Sequence, residues 1–171
     1  MADLLEITER KGVALATIMA RKGVARTHLS KPLGLSPPAG PQVAGAGPFS
    51  LIGVGPGVWF AVREGGPEDW IDELRQALAG AASVSEQTGG YLVLRLTGPG
   101  AQALLQSGAF IDLDPAVFGV GAAAVTAIAH IGVILWKVDD GPTFDVALFR
   151  SFAGSFRDWV AANAGPPIPS L

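Results

Sequence analysis

Tyr91-Leu-Val-Leu-Arg-Leu-Thr97, followed by Gly98-Pro-Gly100, is the stretch that decides the fold. It reads as a strand interrupted only by Arg95, which shares a face with Tyr91 and Val93. The Gly-Pro-Gly break ends it, and Ala101-Gln-Ala-Leu-Leu105 continues as a short helix. The same order occurs once before. Gly12 to Ala20 reads as a central strand with apolar groups on both faces. Arg21-Lys22-Gly23 then turns the chain into a short helix from Val24 to about Leu29, which Pro32 kinks or ends. One opening used twice predicts two related halves, at about 12–87 and 88–163.

Outward from Tyr91, Gly108-Ala-Phe-Ile-Asp-Leu-Asp-Pro115 leads to paired apolar strands around Ala129 to Trp136, with a turn near His130 to Gly132. Ile131–Val138 and Thr143–Phe149 read as a hairpin around Asp139-Asp-Gly-Pro142, a strong turn signal. Ser151 is placed to cap a last helix whose apolar face is Phe152, Phe156, Trp159 and Val160. The Pro-rich tail, 164–171, cannot be helical. In the first half the Pro/Gly-rich stretch 36–48 reads as a flexible loop. Phe49–Val54 and Val58–Val62 flank Gly55-Pro-Gly57 as a hairpin. Pro67 to Ala79 reads as a helix with Trp70, Leu74 and Leu78 on one face, and Ala82 to Gln87 as a strand. The fold class is therefore α+β: two split-βαβ (ferredoxin-like) halves sharing a core, in one domain spanning 1–171. Each half has a Trp near its last helix, Trp70 and Trp159.

The 171 residues are 49% hydrophobic and only 16% charged, which points to a surface covered by a partner. A net charge of −3 gives no footprint for nucleic acid or for an acidic membrane surface. Cysteine is absent, which removes disulfides, thiol nucleophiles and thiolate metal sites, and fits a reducing, cytoplasmic setting. The acidic N-terminus does not read as a signal peptide. From Ala116 to Trp136 no Asp, Glu, Lys or Arg occurs, but Gly119, Gly121, Gly132 and His130 interrupt the run and its flanks are acidic. Two buried strands are expected there, not a membrane span.

Chemical motifs are weak. Gly53-Val-Gly55-Pro-Gly57 lies between strands, so a hairpin is expected rather than a phosphate cradle. Gly119-Val-Gly121-Ala-Ala-Ala124, with Asp139 or Asp140 beyond it, matches a dinucleotide fingerprint in spacing but not in context, because Pro115 disrupts the preceding strand. His28 and His130 are the only histidines, and His130 lies in an apolar run as a core or interface residue. Asp112 and Asp114 form either a carboxylate pair or a solvated turn. Arg95 and Arg150 are expected in structural or interface ion pairs, with anion binding as the alternative. No catalytic, cofactor-binding or metal-ligating residue is assigned.

Leu94-Arg-Leu-Thr-Gly-Pro-Gly-Ala-Gln-Ala-Leu-Leu105, Gly108-Ala-Phe-Ile-Asp-Leu-Asp-Pro-Ala-Val-Phe118, Thr126, His130-Ile-Gly-Val-Ile-Leu-Trp136, Phe144-Asp-Val-Ala-Leu-Phe-Arg-Ser-Phe152 and Trp159 together resemble the gamma subunit of heterotetrameric sarcosine oxidase. Gly55-Pro-Gly-Val-Trp-Phe60 is similar to a hairpin of that family. The likeness runs from about Gly12 to Ala162, with departures in the 36–48 loop and in Ser83-Val-Ser-Glu-Gln87, which lacks an expected Asp.

The resemblance implies a fold like the folate-binding domain of glycine-cleavage T-proteins. It also implies a non-catalytic structural subunit packed on an alpha subunit, with beta and delta in the same complex. FAD, FMN, NAD and zinc would sit on those partners and none on this chain. The partners would oxidise sarcosine to glycine and pass the one-carbon unit to tetrahydrofolate. Trp59, Phe60, Phe110 and Phe118 are the expected aromatic anchors of the partner interface. The alternatives are a stand-alone folate-binding one-carbon-transfer protein using Asp112 or Glu86, or a subunit of a related N-methyl amino acid or imino acid dehydrogenase.

Overall fold

The computed structural model describes residues 5–165. In chain order its elements are β1 (Glu6–Glu9), β2 (Val13–Ala20), a 3-10 turn (Arg26–Leu29) running into α1 (Ser30–Leu33), β3 (Val43–Ala46), β4 (Phe49–Gly55) and β5 (Val58–Glu64). There follow α2 (Trp70–Ala77), β6 (Ala82–Glu86), β7 (Tyr91–Thr97), α3 (Gly100–Gly108), β8 (Ala123–Ile128), β9 (Ile131–Lys137), β10 (Thr143–Phe149), a 3-10 turn (Arg150–Phe152) and α4 (Ala153–Asn163). The chain divides into two compact units: residues 11–91, and the N-terminal strand together with residues 92 onward.

In the first unit the sheet order is β3-β4-β5-β2-β6. β2 is interior, as its doubly apolar sequence requires, and pairs antiparallel with β5 and β6. One face packs Ala16, Ile18, Leu29, Trp59, Trp70, Leu74 and Leu78 into a core. The helix predicted over Pro67–Ala79 is shorter, Trp70–Ala77, yet its expected stripe of Trp70, Leu74 and Leu78 is buried.

The stretch 36–48 is not the flexible loop its composition suggests. It contains β3, which pairs antiparallel with β4. The Pro38 carbonyl accepts a hydrogen bond from Trp59 Nε1 at 2.9 Å, and Arg26 Nη1 donates to the Pro37 carbonyl at 3.0 Å. A Cβ on Gly53 would lie 2.0 Å from the Gly40 carbonyl oxygen, so only glycine lets this segment lie on β4.

The second unit orders its strands β1-β7-β10-β9-β8. β8 and β9 pair antiparallel, as do β9 and β10. Leu92, Leu94, Leu96, Leu104, Leu105, Phe144 and Phe156 belong to its core. Each unit thus carries its own cluster of buried side chains. The N-terminal segment forms an edge strand: Ile7 lies opposite Leu96. Ser151 does not cap α4, which starts two residues later and has no side-chain cap. Phe156 is buried and Trp159 and Val160 half-buried, but Phe152 sits in the preceding 3-10 turn and is exposed. The expected tail lies, from residue 166, outside the described residues.

Candidate functional site

A buried carboxylate with two arginines links β7, β10 and Arg10, the residue that follows β1. Asp145, 0% exposed, is the one charged residue of the strand Thr143–Phe149. Its Oδ1 accepts from Arg95 Nε at 2.8 Å. Its Oδ2 accepts from Arg95 Nη2 at 2.9 Å and from Arg10 Nη1 at 2.8 Å. The fork of Arg95 makes a bidentate pair, the strongest form of this interaction. Both carboxylate oxygens are engaged, so Asp145 is the hub of a clamp that joins β10 to β7 and to the residue after β1. Arg95 was expected in a structural ion pair and is in one. Its partner is legible in hindsight: an Asp inside an apolar strand needs a cation close by.

A second buried charge sits nearby in sequence. Lys137 Nζ donates to the carbonyls of Asp139, at 3.0 Å, and of Gly141. It also lies 5.0 Å from the centroid of the Phe144 ring. Outside this group, Glu9 faces Arg150 at 3.7 Å and Arg157 at 3.3 Å. These solvent-washed pairs tether β1 weakly.

The other candidates resolve into turns. Asp112 Oδ1 accepts from the Asp114 N–H at 2.9 Å, and Asp114 Oδ1 from the Ala116 N–H at 2.8 Å. Both carboxylates are exposed, so the solvated-turn reading holds. Glu86 is exposed on β6. Gly53 to Gly57 forms the β4–β5 hairpin, and Gly119 to Ala124 runs into strand β8 instead of a helix. His28 is exposed on a 3-10 turn. Among the described residues no three carboxylate or histidine side chains are placed to hold a metal ion. No described helix is long and apolar enough to cross a membrane.

His130 is not a core residue. It forms a two-residue turn with Ala129 between β8 and β9, and both have positive φ, 51° and 65°. This is the backbone of a type I′ hairpin, which normally selects Asn-Gly. Its exposed ring lies 6.2 Å from that of Phe110. Of the four expected interface aromatics, three are buried: Trp59 at 2%, Phe60 at 1% and Phe118 at 7% exposure. Trp59 belongs to the core of the first unit, Phe60 lies 5.1 Å from the Tyr91 ring, and Phe118 stacks on Phe144 at 6.5 Å. Their side chains offer no surface to a partner. Only Phe110, at 77%, remains open. Large aromatics in strands are more often core than anchor, and Trp59 and Phe60 follow that rule.

Chains of two solved enzymes share this fold. It superposes on a chain of heterotetrameric sarcosine oxidase from Corynebacterium sp. U-96, in complex with pyrrole 2-carboxylate, with a TM-score of 0.84 and 24% identity, covering 96% of this chain and 87% of that one. It matches the glycine cleavage system aminomethyltransferase T of Bartonella henselae with a TM-score of 0.71 and 13% identity, over 94% of this chain and 46% of that one. Both likenesses bear on fold alone. In sequence, residues 20–165 match the family described as sarcosine oxidase, gamma subunit family, and the chain belongs to that family. The sarcosine oxidase subunit gamma of Arthrobacter sp is 29% identical over 138 residues, 80% of this chain and 68% of the relative.

Proposed function

We propose that this chain is a non-catalytic, structural gamma-type subunit of a cytoplasmic, multi-subunit, flavin-dependent sarcosine oxidase. Its membership of the gamma subunit family carries the reading. The partners are an alpha subunit, with beta and delta in the same complex. FAD, FMN, NAD and zinc belong on those chains, which demethylate sarcosine oxidatively to glycine and transfer the one-carbon unit to tetrahydrofolate. The internal use of Asp145, Arg95 and Lys137 supports a scaffold, since these charges hold strands and turns together.

Native mass spectrometry on the chain alone, and then co-expressed with candidate alpha, beta and delta chains from the same source, tests this. The expected result is one copy in a flavin-bearing complex. A folded chain that stays a monomer or homodimer in the presence of those partners would overturn it.

A further inference from the structure

A sheet edge that is long, uncharged and open invites a further strand, and natural edges are normally blunted by charge, by brevity or by Pro and Gly. Among the described residues the two sheets end in four edge strands. β1 carries Glu6 and Glu9, β6 carries Glu86, and β3 has four residues with Gly45 among them. β8, Ala-Ala-Val-Thr-Ala-Ile over Ala123–Ile128, has none of these defences. The Lys137 N–H donates to the Ala122 carbonyl, so by antiparallel alternation Ala124 and Thr126 face β9, and the backbone of Ala123 and Val125 turns outward. Among the described residues, a bridge between Ala109 and Ile128 caps the far end of this edge.

The side chains around it are equally unprotected. Val125 is 60% exposed, and Val117 and Val120, in the connection leading into β8, are also exposed. Phe110, next to the capping residue, projects beside His130 at the hairpin end. From Ala101 to Trp136 the only charged residues are Asp112 and Asp114, both acidic and exposed. A second copy of this chain offers no Lys or Arg in the same stretch to complement them. An extended segment with alternating apolar residues and flanking Lys or Arg fits both the open backbone and the charge.

Resting on the subunit reading above, we infer that β8 and Phe110 form the docking surface for an extended, basic-flanked apolar segment of a partner subunit, which adds a strand to the sheet.

The test uses the co-expressed complex. Val125→Lys places a charge on the edge, and Phe110→Ala removes the projecting ring. Met19→Lys changes an exposed apolar residue of the other unit and serves as the reference. Urea midpoints of the three isolated variants verify folding. We expect Val125→Lys and Phe110→Ala each to weaken assembly at least tenfold, about the effect of losing one interface anchor, with Met19→Lys unchanged. Intact assembly with both variants, or equal loss with Met19→Lys, would overturn the inference and leave the subunit reading in place. A homodimer abolished by Val125→Lys would make a second copy the occupant and also overturn it. A folded wild-type chain that joins no oxidase subunit would remove the subunit reading and the inference together.

Discussion

The two units follow one plan, completed in one by a strand from its own C-terminal side and in the other by the first strand of the chain. In residues 11–91 the strand after the helix, β6, returns to flank β2. In the other unit that place beside β7 is taken by β1, from the start of the chain. The backbone correspondence is close. The Gln87 N–H donates to the Leu15 carbonyl at 2.8 Å, and the Arg10 N–H to the Val93 carbonyl at 2.8 Å. The chemistry at these matched positions is opposite. The fifth residue of β2 is Thr17 and that of β7 is Arg95; the third of β5 is Phe60 and that of β10 is Asp145. Where one unit has Gln87 Nε2 donating to Thr17 Oγ1 at 3.3 Å beside a buried ring, the other has two guanidiniums on one carboxylate. Strand order and apolar alternation specify this half-fold, and the polar filling of one corner can change completely without changing it.

The sharpest way to break the comparison is to remove the hub. Asp145→Leu leaves Arg10 and Arg95 without their shared acceptor, and loss of one member of a buried charge group is expected to destabilise by about 3–5 kcal/mol. Giving the second unit a neutral filling like that of the first, with Asp145→Leu, Arg95→Thr and Arg10→Gln together, is expected to recover most of that loss, because the desolvated charges are then removed together. Urea unfolding of the single and triple variants measures the difference. A triple variant as unstable as the single one would mean that the clamp is required by this unit and is not an interchangeable filling.

A smaller effect is expected at the hairpin turns. The β4–β5 turn places glycine at its positive φ, Gly57 at 68°, whereas the β8–β9 turn places Ala129 and His130 there. A left-handed conformation costs an ordinary residue about 1–2 kcal/mol, and glycine far less. Replacing Ala129-His130 by Asn-Gly should therefore raise stability by about 1 kcal/mol, read as a higher Tm. No gain in Tm would show that the His130–Phe110 contact offsets the strain.

These contrasts mark how far the sequence could be read. The interior strands β2 and β7, the hairpins and the buried stripe of α2 were legible because periodicity and Gly/Pro turns act locally. β1 and β3 were not: Glu-Ile-Thr-Glu and Val-Ala-Gly-Ala carry little strand signal alone, and pairing with β7 and β4 makes them strands. The clamp was half legible, since Arg95 needed an acceptor but nothing local names Asp145, fifty residues on. Aromatic content also misled the interface reading, because Trp59, Phe60 and Phe118 fill the interior.

The smallest expected effect concerns the neutral corner. Tyr91 lies against Phe60 in the place where the other unit has its charges, and burial raises its pKa above the ordinary 10.0. Below that value the hydroxyl is protonated in folded and unfolded chains alike, so it adds no pH dependence. Above it the unfolded chain releases the proton first, while the folded chain still holds it. The unfolded state then binds fewer protons, and stability falls as pH rises from 10.0 toward the raised folded value. The readout is a difference between wild type and one variant. Urea midpoints of wild type and Tyr91→Phe are expected to run parallel below pH 10 and to diverge above it, with wild type falling faster. Parallel curves throughout would mean that water reaches the hydroxyl, and that the neutral corner is less dry than its buried Phe60 indicates.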